Sequence, residues 1–274
     1  MNRIAMGCDP VVGTPPPCFV AGTPIHTIKG LVPIEQIKVG DLVLSKPENG
    51  GELAYKPVTR TFVTHEQRVL ALPVISQREK STIRPDRGTQ IQRASRMLIM
   101  TPEHPLRTVL DGWMPAEDLA RGECLVLSNG DYAEVTDDAG QVLRTTNPQQ
   151  GIHATEDDFN YGWGQLIDFS CYPAVDFSQF DAPFCDDYGR EEMLHTVYNF
   201  EVADYHTYFV GDLYDYDESG QPVGDPLGVW VHNTCTPDVL AALLQQPPKL
   251  TDVWHESLEA SLSGLPSNMV LTDD

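Results

Sequence analysis

An all-β fold is predicted for this chain of 274 residues, and three observations predict it. Short runs rich in Val, Ile, Thr and aromatic residues recur from Cys18 to His232, each bounded by Gly, Pro or Asn, which is how successive strands and turns read. The 22 Pro and 21 Gly make connections frequent and leave little room for long helices. Two stretches, IEQIKVGDLVLS and AEDLARGECLVLS, resemble each other and point to one duplicated β-unit. No period of 20 to 50 residues runs through the chain, so a solenoid or propeller is not expected.

Taken in order, residues 1–17 end in three prolines, which favour an extended polyproline path, and read as a flexible exposed leader. Strands are expected at Pro24 to Thr27, Asp41 to Ser45, Lys56 to His65, Arg68 to Ile75, Arg96 to Thr101, Glu123 to Ser128, His195 to Val202, Thr207 to Val210 and Val229 to His232. Ile34 to Lys38 and Ala116 to Ala120 read as single helical turns, followed by the turn residues Gly40 and Gly122 and then a strand. From about residue 129 to 192 the strand pattern fades into Asp, Glu, Gly and aromatics, as an acidic, partly ordered loop inserted into the β core would. Residues 234–274 form a tail with helical spacing at Pro237 to Gln246 and Asp252 to Leu262, broken by Pro247-Pro248, and too small to hold a core alone. They read as a C-terminal tail or a truncated passenger.

Eighteen basic against forty acidic residues give a formal charge of −22, which repels phosphate backbones and anionic lipid, so neither nucleic acid nor membrane is expected as a partner. The longest apolar stretch, Val69 to Ile75, is far short of the roughly 20 residues that span a bilayer. Met1 to Pro17 lacks the pattern of a secretory signal, so the chain is expected to be soluble, with export by a signal-independent route left open. The six cysteines contain no C-x-x-C pair, which argues against a zinc knuckle or a thioredoxin-type motif; Cys171 and Cys185 are the two that could pair. No metal or cofactor is expected, because every group the chemistry below requires is a side chain.

Four motifs carry that chemistry: CFVAGTP at 18–24, TPEH at 101–104, VYNFEVADYH at 197–206 and VWVHN at 229–233. A thiol directly after a peptide bond can attack the preceding carbonyl and turn the amide into a thioester; Cys18 is so placed, with the Pro17 carbonyl as target. A T-x-x-H turn offers a hydroxyl to an oxyanion and an imidazole to a leaving nitrogen. A side-chain amide can attack its own backbone carbonyl, closing a succinimide and cutting the chain, and Asn233 is the residue that would cyclise. Each motif alone is weak: a lone Cys is more often a buried structural thiol, and an HN dipeptide more often a turn.

In this order, and with PIEQIKVGDLVLS, GWMPAEDLARGE and HTYFVG between them, the motifs resemble those of the Hint (hedgehog/intein) self-processing domains, and within that superfamily the bacterial intein-like domains found ahead of toxin modules. The resemblance covers residues 18–233 apart from the insertion. It implies a horseshoe of pseudo-twofold related β-units that brings Cys18 and Asn233 into one site. It assigns the oxyanion and leaving-group roles at Pro17–Cys18 to Thr101 and His104, and gives His206 and His232 the task of assisting Asn233 to cut the Asn233–Thr234 bond. Thr234 would supply the hydroxyl for a transfer step in splicing, with Cys235 one residue out of register. The substrate would be the chain's own flanking segments, cut once in cis, and the partner a toxin or immunity-type protein.

Asn199 stands where splicing inteins carry an acid; an amide hydrogen-bonds but transfers no proton, and Glu201 and Asp204 are the acids near enough in sequence to compensate. Pro17 has a locked φ that limits twisting of the bond Cys18 must break. Cleavage after Asn233 is therefore the main reaction expected. Its rivals are a catalytically silent spacer or docking module, a hedgehog-like transfer that needs no terminal Asn, and a Cys/His hydrolase acting on other chains. His26, His65, His153, His195 and His255, with Trp113, Trp163 and Trp230, match no motif position and read as packing or surface residues.

Overall fold

A computed structural model describes residues 17–76, 96–136, 143–147, 150–153, 165–169, 174–176, 192–216 and 222–233. In chain order the strands are β1 (Phe19–Val20), β2 (Pro24–Thr27), β3 (Gly30–Pro33), β4 (Leu42–Ser45), β5 (Ala54–Arg68), β6 (Leu70–Ser76), β7 (Arg96–Met100), β8 (Pro105–Arg107), β9 (Trp113–Pro115), β10 (Cys124–Val126), β11 (Tyr132–Val135), β12 (Arg144–Asn147), β13 (Gln150–His153), β14 (Gln165–Asp168), β15 (Ala174–Asp176), β16 (Leu194–Val202), β17 (Thr207–Tyr216) and β18 (Pro222–His232). Helix among the described residues is limited to two 3-10 turns, Ile34–Gln36 and Ala116–Asp118. Neither is long and apolar enough to cross a membrane.

The strands of the main sheet are hydrogen-bonded in the order β10-β11-β6-β7-β1-β16-β5-β4-β2-β17-β18-β8-β9, with β3 beside β2. The path returns on itself, because Leu127 bridges Val229 and Thr108 bridges Leu125. The duplication expected from sequence is repeated bond for bond. In the first unit Ile37 N–H donates to Ile34 O, Asp41 N–H to Lys38 O, Gly40 N–H to Val58 O and Val58 N–H to Asp41 O. In the second, Leu119 N–H donates to Ala116 O, Glu123 N–H to Ala120 O, Gly122 N–H to Val135 O and Val135 N–H to Glu123 O. Gly40 and Gly122 both sit at φ +93°, a left-handed turn that a side chain would strain. The correspondence continues upstream: Ile34 N–H donates to Thr23 O and Ala116 N–H to His104 O, so His104 occupies in one half the place Thr23 holds in the other.

The main core gathers Phe19, Ile25, Val43, Leu70, Leu72, Phe200, Tyr208 and Val231 among others. Because alternate residues of a strand face opposite sides, Val69 and Ala71 of the β6 region, together with Cys18 and Val20, point away from it into a second cluster completed by Leu143, Ile167 and Met193. Those last three come from the region expected as an acidic loop and its edge. The structure differs there: β11 extends the main sheet and β12 to β15 form a sheet of their own. These strands are three or four residues long and carry few apolar positions each, so no alternating run announces them. β1, β3, β8 and β9, two to four residues long, escaped as well. The two expected helical turns and the nine expected strands all have counterparts, β5, β17 and β18 being longer than read. Residues 1–16, the tail 234–274, Cys171, Cys185, Trp163 and His255 lie outside the described residues.

His26 is drawn into the structure. It is buried beside a bulge at Gly211, whose φ is +98°, and its Nε2 donates to Gly211 O at 2.9 Å, while burial lowers its pKa. A Cβ on Gly228 would lie 2.6 Å from that Nε2 and 2.8 Å from Phe209 Cβ. The strand cannot step aside, since Gly228 bonds Ser128 through both its N–H and its carbonyl. Gly228→Ala gains about 0.4–1 kcal/mol from a stiffer unfolded chain. It loses about 1–3 kcal/mol to overpacking and a further ~1–3 kcal/mol if His26 leaves Gly211 O unbonded. A net destabilisation of about 3 kcal/mol is expected, measured as a lower denaturant midpoint with an unchanged slope.

Candidate functional site

The first junction lies where the chain enters the sheet. β1 is only two residues long but is clamped on both sides, with Phe19 opposite Met100 on β7 and opposite Tyr198 on β16. Thr101 grips Cys18 twice: its N–H donates to Cys18 O at 2.9 Å, and its Oγ1 accepts from Cys18 N–H at 3.0 Å. The Pro17 carbonyl accepts a 2.6 Å bond from Asn199 Nδ2. Asn199 is 3% exposed, and its Oδ1 is filled by the Phe200 N–H at 2.7 Å and the Tyr208 hydroxyl at 3.1 Å. Two donors on the oxygen fix the carboxamide so that its own NH₂ must face the carbonyl.

This arrangement differs from the one expected. The Thr101 hydroxyl meets the nitrogen of the Pro17–Cys18 bond, and the carbonyl oxygen is met by Asn199. The acids considered as substitutes are directed elsewhere: Asp204 pairs with Lys56 at 2.9 Å on the surface, and Glu201 accepts from the Thr59 hydroxyl. His104 is fully buried against the Phe19 ring, centroids 4.2 Å apart, and neither of its ring nitrogens has a hydrogen-bond partner among the described residues. Burial, aided by the nearby His232, holds its pKa down to about 3, so the ring is neutral. The Cys18 thiol faces the second apolar cluster, and burial pushes its pKa up to about 12 against the smaller pull of the Thr64 hydroxyl. A resting thiolate is therefore scarce.

The second junction closes β18. Asn233 is 2% exposed; its N–H donates to His206 O at 2.9 Å, and its Nδ2 donates to Phe200 O at 3.2 Å. His206 itself is exposed and left-handed, with φ +54°, two residues after Asp204 at φ +65°. Such backbone is costly for residues with a Cβ and recurs at functional turns. His232 is buried, 5.3 Å from the Trp113 ring between centroids, with Nε2 2.8 Å from Glu48 Oε1. Burial lowers the His232 pKa, and Glu48 pulls it back up in part. The hydrogen bond from His232 holds the Glu48 carboxyl below its usual range. Thr234 lies outside the described residues.

Two consecutive residues of β16 thus touch both junctions. Asn199 holds the Pro17 carbonyl with its side chain, and Phe200 holds the Asn233 side chain with its backbone. Sequence reading named six of these groups, Cys18, Thr101, His104, His206, His232 and Asn233. It marked Asn199 only as a departure, and it passed over Tyr208 and Glu48. Tyr208 sits in HTYFVG and reads as a packing aromatic until its hydroxyl is seen to bond Asn199.

The chain is similar to solved structures of intein and intein-like domains. One is a bacterial intein-like domain from Clostridium thermocellum, 24% identical, matched over 79% of this chain and 98% of that one with a TM-score of 0.45. Another is a DnaB intein from Synechocystis, 14% identical, matched over 80% of this chain and 99% of that one with a TM-score of 0.40. No curated protein matches. The family model described as the pretoxin HINT domain matches residues 24–161, just over half of the chain. With its paired β-units and its order of motifs, this protein belongs to the pretoxin HINT domain family.

Proposed function

We propose that the domain cuts its own chain, chiefly at Asn233–Thr234 and more slowly at Pro17–Cys18. In the first reaction Asn233 Nδ2 attacks the Asn233 backbone carbonyl carbon, and the proton it sheds passes to an imidazole. The bond to Thr234 nitrogen then breaks, and that nitrogen takes the proton, so the products are a chain ending in a succinimide and residues 234–274 with a free amine. The observation that carries this reading is the burial of the Asn233 side chain beside the buried His232 where β18 ends, because a packing role alone gives no reason to bury two polar side chains there. Membership of the pretoxin family supports a downstream passenger of toxin type, with an immunity-type protein as partner.

In the second reaction Cys18 Sγ attacks the Pro17 carbonyl carbon, the thiol proton goes to the departing Cys18 nitrogen, and a thioester forms. Asn199 Nδ2 is the donor to the oxyanion. This step is the slower one: the thiol stays protonated far above neutral pH, and Pro17 resists twisting.

Intact mass of the purified full chain, followed over time, tests the reading. The expected result is the appearance of residues 234–274 together with an upstream fragment lighter by one water than a hydrolysed chain, the signature of the succinimide. A chain of unchanged mass after prolonged incubation overturns the proposal, and a hydrolysed upstream end from the start overturns the cyclisation route.

A further inference from the structure

The His232 imidazole is held by a group that no motif announced. Glu48 lies in the turn between β4 and β5, 184 positions from His232, with its side chain 28% exposed. The turn is built to stay in place. Gly50 N–H donates to Pro47 O at 2.9 Å with Gly50 at φ +86°, and Ser45 Oγ donates to Thr207 O at 2.7 Å while the Thr207 hydroxyl donates to Lys46 O. These bonds tie the loop to the residue that follows His206, and so set Glu48 beside the end of β18.

A carboxylate only accepts, so the 2.8 Å contact requires the His232 proton to be on Nε2. Nδ1 is then the nitrogen that carries the lone pair. Among the described residues, the charged and titratable groups near this ring are Glu48, His206 and His104, with Lys46 lying 5.2 Å from the centre of the Trp230 ring and Arg107 5.7 Å from that of Trp113. Of these Glu48 is the anion, and its charge favours a positive imidazole.

We propose that Glu48 is a positioning residue for cleavage after Asn233, fixing the His232 tautomer and stabilising the imidazolium that forms when the ring takes up the proton shed in cyclisation. The proton moves on to the Thr234 nitrogen as that bond breaks, so the ring ends as it began. The division of labour is that of a carboxylate behind a catalytic histidine. The inference rests on the cleavage reading above.

The test uses the full chain with Glu48→Gln and Glu48→Asp, and reads release of residues 234–274 by intact mass across the pH range in which histidine titrates. Because the ring acts as a base, the rate rises with pH through the His232 ionisation. Glu48→Gln is expected to lower the plateau by at least about tenfold and to move the rising limb to lower pH, since the lost anion destabilises the imidazolium. Glu48→Asp keeps the charge and is expected to recover rate and limb toward wild type. In the uncut Asn233→Ala chain, the His232 ring followed by NMR should titrate about one unit lower when Glu48 is replaced by Gln. A Gln variant with the wild-type plateau and limb overturns the proposal, as does a lower plateau with neither the limb nor the titration moved. A wild-type chain that releases nothing overturns the cleavage reading and this role with it. Wild-type release matched by the Gln variant overturns this role alone.

Discussion

Asn233→Ala leaves the chain whole at its downstream junction, with release of residues 234–274 reduced below detection in an intact-mass time course. The effect is expected to be total because the substitution removes the nucleophile and not a helper: a methyl group cannot close the succinimide ring. His232 and Glu48 can still meet, so the variant is expected to keep its fold. It gives up the bond to Phe200 O, worth about 1 kcal/mol, but keeps the backbone N–H bond from position 233 to His206 O that ends β18. Cys18→Ala, by contrast, is expected to keep downstream release near the wild-type rate. Asn199 touches one junction and its neighbour Phe200 the other, but a carboxamide at position 199 passes no proton between them. If Asn233→Ala still releases the tail at the wild-type rate, a different bond is being cut or a different group cuts it.

The parts of this molecule that the sequence announced are those with a physical signature in a short window. The strands from β4 to β7 and from β16 to β18 carry β-branched and aromatic runs long enough to show. The duplicated turns carry a Pro, a helical turn and a Gly at matching spacing, and the backbone bonds repeat accordingly. The strands that escaped are two to four residues long, and what orders them is packing against chain distant in sequence, as Leu143, Ile167 and Met193 bury against Val69 and Ala71. The site divides in the same way. Cys18 and Asn233 were legible because each sits beside the bond it would break. Glu48 was not, because KPENGG is ordinary turn composition and acquires a role only when His232 arrives from 184 positions away. Thr101 was found by its motif, but which atom its hydroxyl would meet depended on the clamp around β1.

Asn199→Ala is expected to slow thioester formation at Cys18 by about 10²–10³-fold, the usual loss when one donor to an oxyanion is removed. The measurement is release of residues 1–17 by an added small thiol, followed by mass. The size of the effect follows from the site's dryness. Asn199 is 3% exposed and bonds the Pro17 carbonyl at 2.6 Å, so water does not replace the lost donor. Tyr208→Phe removes one of the two bonds that aim the carboxamide, and a loss of about 1 kcal/mol corresponds to roughly fivefold. Asn199→Asp separates a donor from a mere spacer. An ionised carboxylate repels the developing oxyanion, so the variant should be as slow as Asn199→Ala at neutral pH and regain rate only where the carboxyl is protonated. Asn199→Ala also strands the Phe200 N–H and the Tyr208 hydroxyl, at a cost of about 1–3 kcal/mol each in stability. Release rates are therefore compared at a temperature where each variant is folded. Equal rates there for the wild-type and Asn199→Ala chains would remove the carboxamide from the chemistry and return the oxyanion to the T-x-x-H turn.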